Sequence, residues 1–408
     1  MKLNIDKIYN NLLNWGVVIL ALSITFSISL MNTSFCLLFI ALLIKLFRKK
    51  AKFIPTGLEI PLLIFIFFHL VSAVVSPNPS ESINDVCGNY WYVLHMYLVI
   101  YLFGEREISK FVKILAWSAV GISIYTILQS SIGLNLRLEM NIKETVEMVA
   151  PKLEKVTEIA GFNIYEGTGV MGHHLTFGGQ IMMLVFIVYA ALKKKWFSLL
   201  AFIAMMLSFA YSAWVGFISI MMLYFLIKRK QAVFAAVIII VFAVLLSAVP
   251  GNRKKIKEKF DDRVNIWKTS LDIYSRSMLF GVGAGQYSNI FDKEYSAEYT
   301  GSKGGARTHP HSIYLDMLTE SGILTFIAFL FFLFRFISMY VRSPEEDRWK
   351  GLHMACALAL GAMLIAGVFQ TYITDAENSV LIWTLAGLMI QTRRLDNGLD
   401  KPDTVPAS

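Results

Sequence analysis

The sequence predicts an all-α polytopic membrane protein with about twelve transmembrane helices and one large loop on the exported side. Three observations predict it. Hydrophobic residues make up 56% of the 408 residues and mean hydropathy is +0.57, too apolar for an ordinary soluble domain. Apolar runs long enough to cross a bilayer recur along the whole length. Lysine and arginine cluster at the ends of those runs, which is how topology signals are placed. The net charge of +9 is therefore no nucleic-acid signature.

At roughly 20 apolar residues per crossing, spans fall near 12–31, 33–47, 57–75, 86–103 and 108–132. Further spans follow near 174–192, 196–211, 213–228 and 231–250, and the last near 312–341, 351–373 and 378–391. The first run is longer than a secretory signal core and lacks a small-residue cleavage site, so it reads as a retained signal anchor. At Met31-Asn32-Thr33 and Tyr211-Ser212 the junctions are tight, and each could instead be one broken span. Basic clusters at 48–50, 193–195, 228–230, Arg348 with Lys350, and Arg393-Arg394 fall on one side at this count. The positive-inside rule puts that side, and both termini, in the cytoplasm. Cys36, Cys87 and Cys356 lie in apolar spans and are odd in number, so they read as packing residues and not as a disulfide framework.

The layout that results has an N-terminal helix block over 1–250, interrupted by an exported loop at about 133–172. A large exported loop over 251–311 is where chemistry, if there is any, is expected. C-terminal helices over 312–394 and a short cytoplasmic tail over 395–408 complete it.

Within the large loop, Ile256, Phe260, Val264, Trp267, Leu271 and Tyr274 recur at steps of four and three. That is the apolar face of an interfacial helix. Arg263 borders the stripe one turn before Trp267. Next come Gly281, Gly283 and Gly285, in a stretch whose backbone can adopt conformations other residues avoid. Thr308-His309-Pro310-His311 then precedes the apolar run from Ile313. Proline suits a first helical turn, with Thr308 or His309 as the cap, so His311 is expected at a helix N-terminus that favours an anion. Asp316 and Glu320 follow on one helix face, where carboxylates are costly; Glu320 suits a supporting role through hydrogen bonds.

In the 133–172 loop, Val146, Val149, Leu153, Val156 and Ile159 suggest a second surface-lying amphipathic helix. His173 and His174 stand at the entrance to the next span. Adjacent helical residues point about 100° apart, and no third ligand is placed by sequence, so no metal site is read there. Asp375 and Glu377 lie in a short exported loop and read as solvated.

An exported site has no ATP, so a transfer reaction there needs a donor activated beforehand. A helix N-terminus, a glycine loop and guanidinium groups suit a phosphate-bearing donor, and a neighbouring histidine can take a proton from an attacking hydroxyl. The glycines are no dinucleotide fingerprint, because no βαβ unit surrounds them.

The sequence resembles the O-antigen ligase and polymerase superfamily of polytopic glycosyltransferases. The likeness rests on Arg263-Val-Asn-Ile-Trp267, Phe280-Gly-Val-Gly-Ala-Gly-Gln286, His309-Pro-His311-Ser-Ile-Tyr-Leu315 and Glu320-Ser-Gly322. Met171-Gly-His-His-Leu-Thr-Phe-Gly-Gly179 is similar to a further family segment. The resemblance implies a glycosyltransferase C-type membrane fold in a bacterial inner membrane, with the active site facing the periplasm. It implies an undecaprenyl-pyrophosphate-linked glycan donor and an acceptor hydroxyl such as that of lipid A-core. It further implies an inverting, metal-independent reaction with no cofactor and no nucleic-acid partner. His311 would be the general base and Arg263 the pyrophosphate clamp. His309, Arg307, Trp267, Gly283 and Gly285 would bind substrate, with Glu320 and Tyr314 supporting the site. One departure stands out: Tyr211 occupies a position where many members carry an arginine, so a second cation must come from elsewhere, with Arg307, Arg253 and Lys303 as candidates.

The reading is an O-antigen ligase-like transferase. Its nearest rivals are a polysaccharide polymerase or a protein O-glycosyltransferase of the same superfamily. A transporter for lipid-linked sugars is the rival from another class; it would place charge inside paired helices and not in one outer loop.

Overall fold

The computed structural model describes residues 4–48, 53–133, 137–140, 146–149, 153–159, 161–227, 252–295, 309–342 and 347–397. Helices dominate: α1 (Ile5–Phe26), α2 (Ile28–Phe47), α3 (Glu59–Val75), α4 (Pro79–Tyr90), α5 (Leu94–Leu102) and α6 (Glu105–Ile132) come first. After two small β-hairpins follow α7 (His174–Ala191), α8 (Trp196–Leu207) and α9 (Tyr211–Ile227). The last part holds α10 (Asn252–Arg276), α11 (Tyr287–Glu294), α12 (Ile313–Tyr340), α13 (Asp347–Ala366) and α14 (Ala376–Asp396). Among the described residues, six helices are long and apolar enough to cross a membrane: α1, α2, α6, α7, α12 and α13. Helices α3, α8 and α9 are apolar but shorter. The chain is thus a largely α-helical, multi-pass membrane protein. The span expected at 231–250 lies outside the described residues.

Several boundaries move for local reasons. The first turn falls at Ser27 and not at residues 31–33, because Ser27 is extended and its hydroxyl accepts from Leu30 N–H to start α2. The span expected from residue 86 begins earlier, as polar α4 with proline in its first turn, and runs through a short 3₁₀ turn into α5. The span expected to reach residue 373 stops at Ala366. A non-helical loop, 367–375, then carries a 3₁₀ turn at Tyr372–Thr374.

The amphipathic helix expected near 146–159 is not formed. Strands β1 (Arg137–Met140) and β2 (Val146–Val149) pair antiparallel, as do β3 (Lys155–Ile159) and β4 (Phe162–Tyr165). Val156, Thr157 and Ile159 are β-branched, and Gly161 takes φ +83° in the tight turn, so this segment favours a hairpin over a helix. The buried Gln129 amide then ties the returning chain to α6, bonding Thr168 and Gly169 with both its oxygen and its nitrogen.

The helices pack as α1 on α2 and α6, α3 on α12, α7 on α8 and α13, α9 on α13, and α5 on α14. At one end of this bundle Arg48 bonds Asp6, Lys45 reaches Tyr101 O, Arg348 bonds Glu105 and Arg393 reaches Met339 O. Lys193–Lys195, beyond the C-terminus of α7, belong to the same end, opposite the N-terminus of that helix.

Helix α12 is broken at Gly322, which has φ 77° and ψ 177°. A break inside an apolar helix frees backbone groups that must be paired within the protein. The glycine segment supplies them. Val282 N–H donates to Thr319 O at 3.0 Å, Gly283 N–H to Glu320 O at 2.8 Å, and Ile323 N–H to Met278 O at 2.9 Å. Ser72 of α3 donates to the carbonyls of both Phe280 and Glu320. A Cβ at Gly322 would sit 2.4 Å from Leu279 O, and one at Gly281 would sit 2.4 Å from the Glu320 carbonyl. Gly322→Ala is therefore expected to cost at least about 2 kcal/mol, from left-handed strain plus the clash. Thermal unfolding in detergent checks this, and an unchanged midpoint would count against the interlock.

Candidate active site

Helix α10 forms where the sequence predicts an amphipathic helix, and it is held by a face the stripe did not include. Ile266 and Ile273 pack with Val282, Tyr287 and Phe291, and Thr319 donates to Ser270 O at 3.3 Å. This fixes α10 against α11 and α12 and turns Arg263 and Trp267 toward loop 367–375. Arg263 Nη1 donates to Phe369 O, and the Trp267 ring lies 6.0 Å from the Phe369 ring. The buried Trp267 Nε1 has no hydrogen-bond partner among the described residues. A buried indole N–H normally finds one, so this donor is poised for a ligand.

The same loop receives His311. Its Nδ1 donates to Gln370 Oε1 at 2.9 Å, the tautomer that leaves the lone pair on Nε2 to accept a proton. His311 lies before the helix and not in its first turn, contrary to the sequence expectation. Ser312 is the N-cap of α12, accepting from Leu315 N–H, and His311 precedes it with φ 52°. Pro310 accordingly lies before the first turn. A histidine in the left-handed region is uncommon and costs conformational energy. The neighbouring bond from Ile313 N–H to Gly367 O, 2.8 Å long, helps hold the turn.

His309 stacks edge-on against His311, with centroids 4.4 Å apart. Burial, then electrostatic interaction with His311, Arg263 and His173, pushes His309 down to about 3, so it stays neutral. Burial also lowers the pKa of Arg263, while the nearby Tyr372 opposes that shift. The guanidinium nonetheless remains charged.

Loop 367–375 is braced on its other side. Tyr372 OH bonds Ser212 Oγ at 2.7 Å, which puts the start of α9, and hence Tyr211, beside the site. Asp375 accepts from Thr176 Oγ1 at 3.0 Å and Asn378 Nδ2 at 3.2 Å. It is not the solvated group expected: burial pushes it up to about 6, although both hydrogen bonds pull the other way.

The structure therefore brings together His311, His309, Arg263 and Trp267. Gly283 and Gly285 are placed elsewhere, with their N–H groups committed: Gly283 to Glu320 O, and Gly285 to Glu320 Oε2 at 2.9 Å. The cradle they were expected to offer a phosphate is thus filled by the protein itself. Glu320, which also accepts from Tyr287 N–H at 3.1 Å, locks the glycine segment. Tyr314 OH donates to Leu364 O at 2.8 Å and pins α12 to α13. Arg307 lies outside the described residues, as does Lys303. Among the described residues, no three His, Cys, Asp or Glu side chains are grouped to hold a metal.

Sequence reasoning missed Gln370, Tyr372 and the Phe369 carbonyl. The signal present was the polar run Gln370-Thr371-Tyr372 just past an apolar helix. Because Gln370 sets the His311 tautomer, Gln370→Ala is expected to lower the transfer rate about tenfold, a typical loss for one such hydrogen bond. Gln370→Glu should retain more activity and move the acid limb of the pH–rate profile to higher pH, since a carboxylate stabilises the imidazolium. A profile identical to wild type in both variants would remove Gln370 from this role.

Residues 196–330 match the sequence model of the family described as O-antigen ligase. That match supports membership of the O-antigen ligase superfamily. This O-antigen ligase segment contains Arg263, Trp267, the glycines, His309, His311 and Glu320, and ends before the loop that braces them. The superfamily consists of membrane ligases and polymerases of glycosyltransferase type that act on lipid-linked glycans, a setting that the multi-pass helices fit. No curated protein matches the chain. Among solved structures, a chain from "Structural coordination of polymerization and crosslinking by a peptidoglycan synthase complex" aligns over 85% of this chain and 98% of its own, at 14% identity and TM-score 0.43. A likeness that slight carries no argument.

Proposed function

We propose that this membrane glycosyltransferase moves a glycan from undecaprenyl pyrophosphate to an acceptor hydroxyl, as an O-antigen ligase does. The observation that carries the reading is the convergence of His311, His309 and Arg263 on one loop. His311 Nε2 takes the proton of the acceptor hydroxyl. The acceptor oxygen bonds to the sugar's anomeric carbon, the bond from that carbon to phosphate breaks, and polyprenyl pyrophosphate leaves. Attack opposite the leaving group inverts that carbon. Arg263 holds the leaving pyrophosphate through its planar fork, and neutral His309 adds a donor without adding charge.

Orientation supports an exported, periplasmic-facing site in the bacterial inner membrane. The described basic clusters sit at the end of the bundle opposite His311, as the positive-inside rule requires of a cytoplasmic face. In this reading the helices of 1–250 and 312–394 anchor a catalytic segment over 251–311.

The ligase and polymerase readings differ in the acceptor. Removal of the protein from its host is expected to accumulate unattached, full-length lipid-linked polymer. Accumulation of single lipid-linked repeat units would make it a polymerase, and no change in either pool would contradict both.

A further inference from the structure

Helix α4 is a polar helix set at the depth of an apolar one. It turns back along α3, and at its far end Tyr90 OH bonds His69 Nδ1 at 2.9 Å. The Tyr90 ring also lies 5.8 Å from that of Phe65. Both partners sit two to three turns below Val75, the exported end of α3. Helix α4 therefore descends roughly 9–15 Å into the layer that α3 crosses. Over that depth α3 exposes Phe67, Val74 and Val75, a surface fit for lipid. Helix α4 instead exposes Ser80, Glu81 and Asn84. Such side chains do not face hydrocarbon; at membrane depth they line water-filled space or meet a polar ligand.

That space is present. Asn78, Ser80, Glu81, Ile83, Asn84 and Cys87 line an open groove of about 540 Å³, a size typical of ligand sites. Ser80, Ile83, Asn84 and Cys87 share one helix face, while Val86 is buried on another with Ala73 and Ala284. The groove is tied to the framework of the candidate site. Glu81 Oε2 accepts from Asn78 Nδ2 at 2.6 Å and from Gln286 Nε2 at 3.1 Å. Gln286 follows Gly285, whose N–H is held by Glu320 of α12. Glu320 stands two turns beyond the cap Ser312, roughly 12 Å along the helix. A ligand in the groove thus lies apart from the reacting atoms.

The lining indicates the ligand class. Among the described residues, the Ser80 hydroxyl, the Asn84 amide and Glu81 Oε1 have no hydrogen-bond partner. Together they offer donors and acceptors to neighbouring hydroxyls, and Ile83 offers an apolar surface to a C–H face. None of the lining residues is basic, and Glu81 repels anions, so the groove is unsuited to a phosphate. We propose that the α4 groove binds a saccharide, holding sugar units of the glycan chain behind the unit that reacts at His311. The inference rests on the glycosyltransferase reading and adds a subsite to it.

Cys87 lines the groove and is exposed, so it serves as the reporter. Full-length Cys36→Ser protein in lipid nanodiscs lacks the other exposed cysteine, and Cys356 is buried. The rate of Cys87 modification by a charged maleimide is measured with and without saccharide freed of its lipid. One arm uses the polysaccharide released from the host's lipid-linked donor, the other the core oligosaccharide released from its lipopolysaccharide. Cys87 is expected to react readily and to be protected in at least one arm, which tells whether the groove serves donor or acceptor. Glu81→Gln should raise the concentration needed for protection about ten- to a hundredfold, the range for a hydrogen bond to a charged group. Asn84→Ala should raise it about two- to tenfold, and serves if Glu81→Gln disturbs Gln286. Both should raise KM for the same glycan and leave kcat near the wild-type value. A Cys87 that reacts only with an uncharged, lipid-soluble maleimide would overturn the proposal. So would labelling that neither saccharide slows, or protection unchanged in both variants. The underlying reading fails separately, if wild-type protein transfers no glycan from a polyprenyl-pyrophosphate donor.

Discussion

Replacing His311 by asparagine is expected to lower glycan transfer about 10²–10⁴-fold while leaving a folded, membrane-inserted protein. Pyrophosphate is already a good leaving group, so the demanding step is activation of the acceptor. A sugar hydroxyl is almost wholly protonated at neutral pH, and histidine, with an ordinary pKa of about 6.5, can accept its proton there. The geometry separates chemistry from stability. Ser312, not His311, caps α12, so the cap survives the substitution. Asparagine tolerates the left-handed backbone that His311 adopts at φ 52°, so the turn survives as well. His309→Asn should be milder, because neutral, buried His309 positions and does not accept the proton. Near-normal transfer by well-folded His311→Asn protein would remove His311 from the chemistry.

Arg263→Lys is expected to fail nearly as badly as Arg263→Ala, with a loss of roughly 2–4 kcal/mol of transition-state stabilisation. Arg263 already spends one N–H on the Phe369 carbonyl, and a guanidinium has donors to spare in a fixed plane. An ammonium is a point charge that cannot hold the carbonyl and bridge a phosphate in the same geometry. Protein level should be normal in both variants, because α10 is anchored through Ile266 and Ile273 on its other face. A lysine variant with near-full activity would reduce Arg263 to a general positive charge.

Much of this was legible in the sequence. The spacing of Phe260, Val264, Trp267 and Leu271 announced α10, and apolar length announced the long helices. Arg263, one turn from Trp267, and the His309–His311 pair meet at loop 367–375. What the sequence hid has identifiable causes. Valines three residues apart fit a helix face as well as a strand, and β-branching at Val156 and Ile159 decided for hairpins. Gln370 and Tyr372 follow directly on an apolar helix, so hydropathy absorbed them into the span, although their partners, His311 and Ser212, are far away in sequence. The glycines looked like a phosphate cradle because a permissive backbone serves either purpose. Only the break at Gly322, whose freed carbonyls need donors, shows which purpose they serve.

The most direct test of the central claim is reconstitution. Purified protein in proteoliposomes, given an undecaprenyl-pyrophosphate-linked glycan and lipid A-core, is followed for both products with no nucleotide added. The account predicts one free undecaprenyl pyrophosphate for each glycan transferred, with inverted configuration at the new bond and with His311→Asn close to the uncatalysed background. Retained configuration, or equal rates for His311→Asn and wild type, would contradict it.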